Sequence, residues 1–154
     1  KRQLYCFGTR FNLQLMNFFF YLTPQAQEIV NLINKAKFSV KENVEFCRDK
    51  KFFGYVDFGK KFVICTSNIK NSGLDPKFYI NETVYHESVH VAHHCNGYKP
   101  FGISKKDMPL PSNKLQDIKN SVSMSTASSQ MEHEAYWMED SPEKVVYVLK
   151  KYCF

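Results

Sequence analysis

The sequence predicts an α+β fold, in which a short antiparallel or mixed sheet packs against helices, and three observations support it. In LTPQAQEIVNLINKAK, Thr23 is a suitable N-cap, Pro24 suits the first helical position, and apolar residues follow at helical spacing. In KFFGYVDFGKKFVICTS, two β-rich runs flank DFGK, which predicts an antiparallel hairpin. After a loop at NSGLDPKFY, a helix capped by Asn81 is expected to reach about Cys95 and end at Asn96-Gly97.

The remaining segments complete a single predicted domain over residues 1–154. A chain of 154 residues is long enough for one domain with its own core and too short for two ordinary ones. The very apolar Phe11–Leu22 favours a buried strand over a signal peptide, and it is too short to span a membrane. Prolines make Lys99–Leu115 a long surface connection. Three helices are predicted after it, at about Asn113–Ser121, at Ala127–Glu139 and from Ser141 onward.

Charge and cysteine content limit the partners and the compartment. The net charge is +6, but the basic residues occur in ones and twos, which favours a solubilising surface over nucleic-acid binding. The five cysteines are widely spaced and include no C-x-x-C pair, a pattern of neither a disulfide framework nor a cysteine zinc site. A reducing, cytoplasmic compartment is therefore expected. Abundant Lys, Asn, Phe and Tyr suit an AT-rich genome of bacterial or viral origin.

Four of the five histidines lie in the segment YHESVHVAHHC, which is Tyr85–Cys95. His86 and His90 are one helical turn apart, so both imidazoles can face one tetrahedral zinc ion. Glu87 lies about 100° round the helix, where it can reach a water molecule beside the metal and act as its general base. The H-E-x-x-H spacing therefore predicts a catalytic zinc site. The alternatives are a histidine-rich solvated face with this spacing by chance, or a helix whose histidines satisfy hydrogen bonds in the core.

The other two histidines of this segment fit the metal poorly. A straight helix places His93 about 10 Å along the axis from His86, too far for both to share a metal with His90. We therefore interpret His93 and His94 as surface residues or, at most, as groups at the rim of the site.

The third ligand is predicted on a downstream helix that contains MEHEAYWMED. Met131, Ala135 and Met138 mark its apolar stripe, and Glu134 falls on that stripe, whereas Glu132 points away from its centre. A carboxylate in an apolar stripe is costly unless it is paired or bound to metal. Glu134 is thus the predicted third ligand, which leaves a fourth position open for water. The alternative is a glutamate at the stripe edge that extends to solvent.

The segment YHESVHVAHH, followed some forty residues later by EHEAYWMED, resembles the gluzincin metallopeptidases, and most closely the small minigluzincin-like domains. The resemblance covers roughly Lys51–Asp140. It implies a zincin-like domain with one catalytic Zn²⁺ and a peptide or protein substrate. Carried over to this chain, the pattern implies His86, His90 and Glu134 as ligands and Glu87 as the general base.

The same resemblance implies three further features. An edge strand should lie along the substrate, for which Phe62–Ser67 is the candidate. A donor should stabilise the oxyanion, for which Tyr136 is preferred over His133 and Tyr98. Met138 occupies the position where larger gluzincins have an aspartate that supports a ligand histidine; Asp140, Glu139 or Asp57 remain as candidates for that support.

The expected function is therefore that of a zinc metalloendopeptidase. The alternative is a latent or non-catalytic zincin-fold module for binding or assembly, which either keeps zinc for structure or has an occluded cleft. Lys99–Leu115 would cause such occlusion if it folded across the site. A third hypothesis is a basic protein that acts on DNA-bound substrates. The sequence determines neither the cleavage preference nor the oligomeric state.

Overall fold

The computed structural model describes residues 17–154, and the fold over this range is α+β, as predicted. Within residues 17–154, seven α-helices accompany a three-stranded sheet. In chain order the elements are a 3₁₀ helix at Asn17–Tyr21, α1 at Pro24–Lys35, β1 at Ser39–Glu42, α2 at Glu45–Asp49, β2 at Gly54–Val56, β3 at Lys61–Ile64, α3 at Thr66–Asn71, α4 at Pro76–Cys95, a 3₁₀ turn at Lys105–Asp107, α5 at Ser112–Met124, α6 at Ser129–Met138 and α7 at Pro142–Cys153.

The sheet is mixed, with the strand order β1-β3-β2. β2 and β3 form the predicted antiparallel hairpin, with Tyr55 opposite Val63, and β1 runs parallel to β3 on its other side, with Val40 beside Phe62. The prediction that Phe62–Ser67 is an edge strand is wrong, because β3 pairs on both sides and the chain is helical from Thr66. The strand with a free side next to α4 is β2.

The core is built around α4, which packs against α1, α6, α7 and the sheet. Its apolar residues Val84, Val89 and Val91 are fully buried. The predicted stripe of α1 packs into the same core. The Thr23 hydroxyl accepts a hydrogen bond from the Ala26 N–H (3.2 Å), as expected of an N-cap. The long helix that carries the histidines is thus held on several sides by apolar contacts.

The start of α4 lies earlier than predicted. The helix begins at Pro76, and the carboxylate of Asp75 caps it by accepting a hydrogen bond from the Lys77 N–H (3.2 Å). The segment expected to be a loop therefore forms its first turn. Asn81, the predicted cap, lies inside the helix and is buried. The predicted end of the helix at Cys95 is confirmed, with Gly97 at positive φ just beyond it.

Asn81 instead joins α4 to the start of α1. Its side-chain carbonyl accepts from the Thr23 N–H (3.0 Å), and its amide group donates to the Tyr21 carbonyl (2.8 Å).

We expect Asn81→Ala to lower the free energy of unfolding by about 2–3 kcal/mol, because these backbone groups lose their partner in a part-buried site. Urea unfolding followed by circular dichroism measures the change. The control is Asn120→Ala on the exposed face of α5, for which we expect a change below about 0.5 kcal/mol. Equal midpoints for the two variants would contradict this role for Asn81.

The helices after Lys99–Leu115 follow the prediction with shifted ends. α5 is longer than Asn113–Ser121, α6 lies within Ala127–Glu139, and α7 begins directly after Ser141. At the other end of the chain, Phe11–Leu22 was predicted to be a strand. Its described part forms the 3₁₀ helix Asn17–Tyr21, in which Phe18 is buried, followed by the buried Leu22, and residues 11–16 lie outside the described residues.

Two disulfide bonds correct the interpretation of the cysteines. Cys47 is bonded to Cys65, and Cys95 to Cys153, so the second bond ties the last turn of α4 to the end of α7. Cys6 lies outside the described residues. The pairs were not predicted because they are distant in sequence and brought together only by the fold. Disulfides are typical of oxidising compartments, which argues against the predicted reducing cytoplasm.

Between residues 17 and 154, no helix has the length and apolar character needed to cross a membrane.

Candidate metal centre

A cleft of about 750 Å³ lies between β2 on one side and α5 and α6 on the other. α4 contributes six residues, and four of them, at intervals of four, share one face of the helix: Glu82, His86, His90 and His94. Among the described residues that line the cleft, none belongs to Lys99–Leu115. The connection is therefore not the cause of occlusion that the latent-module alternative allowed.

Three side chains converge in this cleft with atoms that can bind a metal. Nε2 of His86 lies 3.3 Å from Oε2 of Glu132, and Nε2 of His90 lies 3.4 Å from Oε1 of the same carboxylate. Ligand atoms of the three residues all lie within 4.8 Å of one another. The H-E-x-x-H helix thus presents both histidines to one carboxylate of α6, as its spacing predicted.

The carboxylate is Glu132, and the prediction that Glu134 would meet the two histidines is corrected. Glu134 is fully buried and faces the opposite way. Its Oε2 lies 3.2 Å from Nε2 of His93 and accepts from the Phe101 N–H (2.8 Å). It follows that Glu134 belongs to the packing of the Lys99–Leu115 connection, and not to the cleft.

The error has a physical cause in the burial of α6, which packs against α4, α5 and α7. Both Glu132 and Glu134 are therefore buried, and the apolar stripe identifies only one of the buried faces. Residues 132 and 134 lie about 200° apart round a helix, so only one of them can face the cleft. A signal for the right face was present in the sequence: Glu132, Tyr136 and Glu139, at i, i+4 and i+7, form a polar row that lines the cleft.

His93 and His94 have different surroundings, and the interpretation of His93 as a surface residue is wrong. His93 is 0% exposed and stacks on Phe101, with ring centroids 4.3 Å apart. Burial lowers the pKa of His93 to about 4, so the ring is neutral near pH 7. His94 is half-buried at the end of the cleft, where its ring packs against Phe58 and Tyr98.

Glu87 lines the same cleft next to His86 and is 8% exposed. Burial raises the pKa of its carboxyl group, as expected for an acid removed from water. β2 approaches α4 closely here, because a Cβ atom at Gly54 would lie 3.1 Å from Cγ of Glu87 and 2.8 Å from Cγ2 of Thr83. The glycine therefore lets the strand and the Glu87 side chain lie side by side.

Support for His86 comes from Glu139, one of the three predicted candidates. Oε2 of Glu139 lies 2.7 Å from Nδ1 of His86, and its other oxygen accepts from the Lys114 ammonium group (2.9 Å). Burial alone would lower the pKa of His86, but the adjacent carboxylates of Glu132 and Glu139 raise it well above its usual value. Asp140 pairs with Lys114 (2.6 Å), and Asp57 accepts from the N–H at residue 61 in its own hairpin.

Of the three candidate oxyanion donors, Tyr136 is the one in contact with His86. Its ring packs edge-on against the His86 ring at 4.5 Å, and its hydroxyl lies 3.1 Å from the Ser121 hydroxyl. His133 is buried with Nε2 2.8 Å from the Met108 carbonyl, away from the cleft lining. Tyr98 lines the far end of the cleft with His94.

The residues present fit a zinc ion. Within the described residues, Oε2 of Glu132 is the buried side-chain oxygen that has no hydrogen-bond partner. His86 lies at ion-pair distance from it, but not in hydrogen-bond geometry. Two imidazole nitrogens and one carboxylate form a donor set that zinc accepts at catalytic sites. An ion would also satisfy a carboxylate oxygen that is otherwise costly to bury.

The chain belongs to a family described as "Domain of unknown function (DUF8637)", which matches residues 18–154. No curated protein and no solved structure matches the chain. Its function is therefore argued from the chemistry of the site.

Proposed function

We propose that the protein is a zinc-dependent metallopeptidase in which His86, His90 and Glu132 hold the metal and Glu87 is the general base. The observation that carries the proposal is the convergence of two Nε2 atoms on the buried carboxylate of Glu132, whose Oε2 lacks a hydrogen-bond partner. Three protein ligands leave one position open, as in catalytic sites and unlike closed structural sites. The resemblance of the two helices to the gluzincins supports the same chemistry, with Glu132 in the place expected of Glu134.

The protein side chains around this site have separable tasks. Bound zinc would polarise the scissile carbonyl and lower the pKa of a water molecule. Glu87 takes the proton from that water and passes it to the leaving nitrogen; its raised pKa brings it closer to the working pH, which suits a general base. Glu139 accepts a hydrogen bond from the Nδ1–H of His86, so that Nε2 of this ring is free to bind the metal.

The cleft supports an extended peptide as the substrate. β2 is an outer strand that lines the cleft, so its free backbone edge can pair with a substrate main chain. Tyr136, beside His86, is the proposed donor to the oxygen of the reacting carbonyl.

The test is metal analysis combined with hydrolysis of a mixed peptide library. We expect one zinc per chain and cleavage that is lost on treatment with 1,10-phenanthroline and restored by added zinc, since the ion supplies the electrophile. A protein that takes up no zinc after incubation with it and dialysis would refute the metal site. Zinc uptake without cleavage of any peptide would refute the peptidase and favour a non-catalytic zinc module.

A further inference from the structure

Each proposed ligand histidine has a partner on its second ring nitrogen. The two Nε2 atoms face Glu132, while Nδ1 of His86 faces Glu139 directly. Nδ1 of His90 instead lies 3.3 Å from Nδ1 of His93. The Nε2 atom of His93 in turn lies 3.2 Å from Oε2 of Glu134. The two histidines therefore each connect to a carboxylate, one directly and the other through a second imidazole.

The positions of the hydrogens along the series His90–His93–Glu134 follow from the need for a free Nε2 on His90. A neutral imidazole carries one N–H, so a His90 ring that binds metal through Nε2 must carry its hydrogen on Nδ1. That N–H can only be satisfied if Nδ1 of His93 accepts it. His93 must then carry its own hydrogen on Nε2, where the Glu134 carboxylate accepts it. Only this arrangement of hydrogens gives both N–H groups of the series His90–His93–Glu134 an acceptor.

We propose that His93 and Glu134 are positioning residues that hold His90 in the tautomer and orientation required for metal binding. The proposal rests on the metal site of His86, His90 and Glu132. It gives a task to the two buried residues that the proposed reaction does not use. It also explains why Glu134 is buried on α6 although it does not reach the cleft.

Glu134, at the far end of this hydrogen-bonded series, is held in place by the segment that follows α4. Glu134 accepts hydrogen bonds from the backbone N–H groups of Phe101 (2.8 Å) and Gly102 (3.3 Å), and from the side chain of Gln130 (3.2 Å). Phe101 stacks on His93 on one side and on Tyr152 on the other, with centroids 4.7 Å apart in the second pair. These contacts leave the His93 ring and the carboxylate little freedom to turn, as is required of groups that orient a ligand.

The decisive experiment compares zinc affinity in three purified variants by competition with a chromophoric chelator. His93→Phe keeps an aromatic ring against Phe101 but cannot accept from His90, so we expect zinc binding to weaken about 10–100-fold. His93→Gln restores one acceptor for His90 and one donor for Glu134, and we expect affinity within about threefold of the wild type. His94→Phe changes the neighbouring histidine, which packs on Phe58 and Tyr98, and we expect zinc affinity like that of the wild type.

A second measurement separates positioning from a general loss of structure. The visible spectrum of the cobalt-substituted protein reports the ligand field directly, and we expect His93→Phe to shift it and His93→Gln to leave it near the wild type. Wild-type zinc affinity in His93→Phe would overturn the proposal, as would a folded His93→Gln that is as weak as His93→Phe. If His93→Phe does not fold, Glu134→Gln serves in its place, with an expected loss of about three- to tenfold, and unchanged affinity in it would overturn the proposal. Failure of the wild type to bind zinc would instead refute the metal site itself.

Discussion

Replacing Glu132 with glutamine is expected to weaken zinc binding by more than about 100-fold, because it removes a charged ligand. Loss of a residue that only hydrogen-bonds to a ligand costs about 10–100-fold. The carboxamide keeps the shape of the side chain in its buried position, so the change tests the ligand and not the packing. Its nitrogen cannot bind a metal, and its oxygen carries no net charge to balance the ion. Imidazoles bind a metal in their neutral form, so Glu132 supplies the only ligand charge in the proposed set.

The matched control is the same substitution two residues away. Glu134→Gln changes a carboxylate of equal burial on the same helix, but one whose contacts are His93 and the backbone of residues 101 and 102. We expect it to cost less than about 10-fold in zinc affinity, since the ligand atoms remain. Affinity is measured by chelator competition, and folding by the thermal unfolding of each metal-free protein. The opposite result, with zinc lost in Glu134→Gln and kept in Glu132→Gln, would restore the assignment that the sequence favoured.

These two glutamates show where sequence reasoning reaches its limit in this chain. Features that depend on neighbours in sequence were predictable: the helix from Pro24, the hairpin about DFGK, and the pairing of His86 with His90 one turn apart. Which glutamate faces the histidines depends on how α6 is rotated against α4. An apolar stripe fixes that rotation only when a single face of the helix is buried, and here several faces are.

The other corrections have the same origin in long-range contacts. The sequence predicts an edge at β3 because β1, at Ser39–Glu42, lies in a stretch with no clear strand pattern, and its parallel pairing is made across some twenty residues. The role of His93 depends on Phe101 and Glu134, which the fold brings to it from two other segments. Local periodicity therefore located the elements and the first two proposed ligands, while the packing of the elements determined which carboxylate lies beside them.

Glu87→Gln is expected to lower kcat/KM for peptide cleavage by about 10²–10⁴-fold while zinc content stays at the wild-type level, because the base is lost and the ligands remain. Its pH profile should change as well. Glu87 must be ionised to accept a proton, and burial raises its pKa, so the wild-type rate should fall as the pH drops through that raised pKa. The residual activity of Glu87→Gln should lack this acid limb. Rates are measured on one peptide over the pH range in which the fold is stable, with metal analysis of the same samples.

Glu82 is the competing base, and the comparison with it decides the assignment. It lies one turn before His86 on the face of α4 that lines the cleft, and burial together with the nearby Glu139 raises its pKa to about 7. Its pKa alone would make it the better base. Glu87, however, lies between the two proposed ligand histidines in the sequence, directly after His86, and packs against β2, where the substrate backbone is expected. We therefore expect Glu82→Gln to cost less than about 10-fold and to retain the acid limb, because geometry decides between groups before pKa does. A larger loss in Glu82→Gln than in Glu87→Gln would move the general base to Glu82 and leave the three metal ligands unchanged.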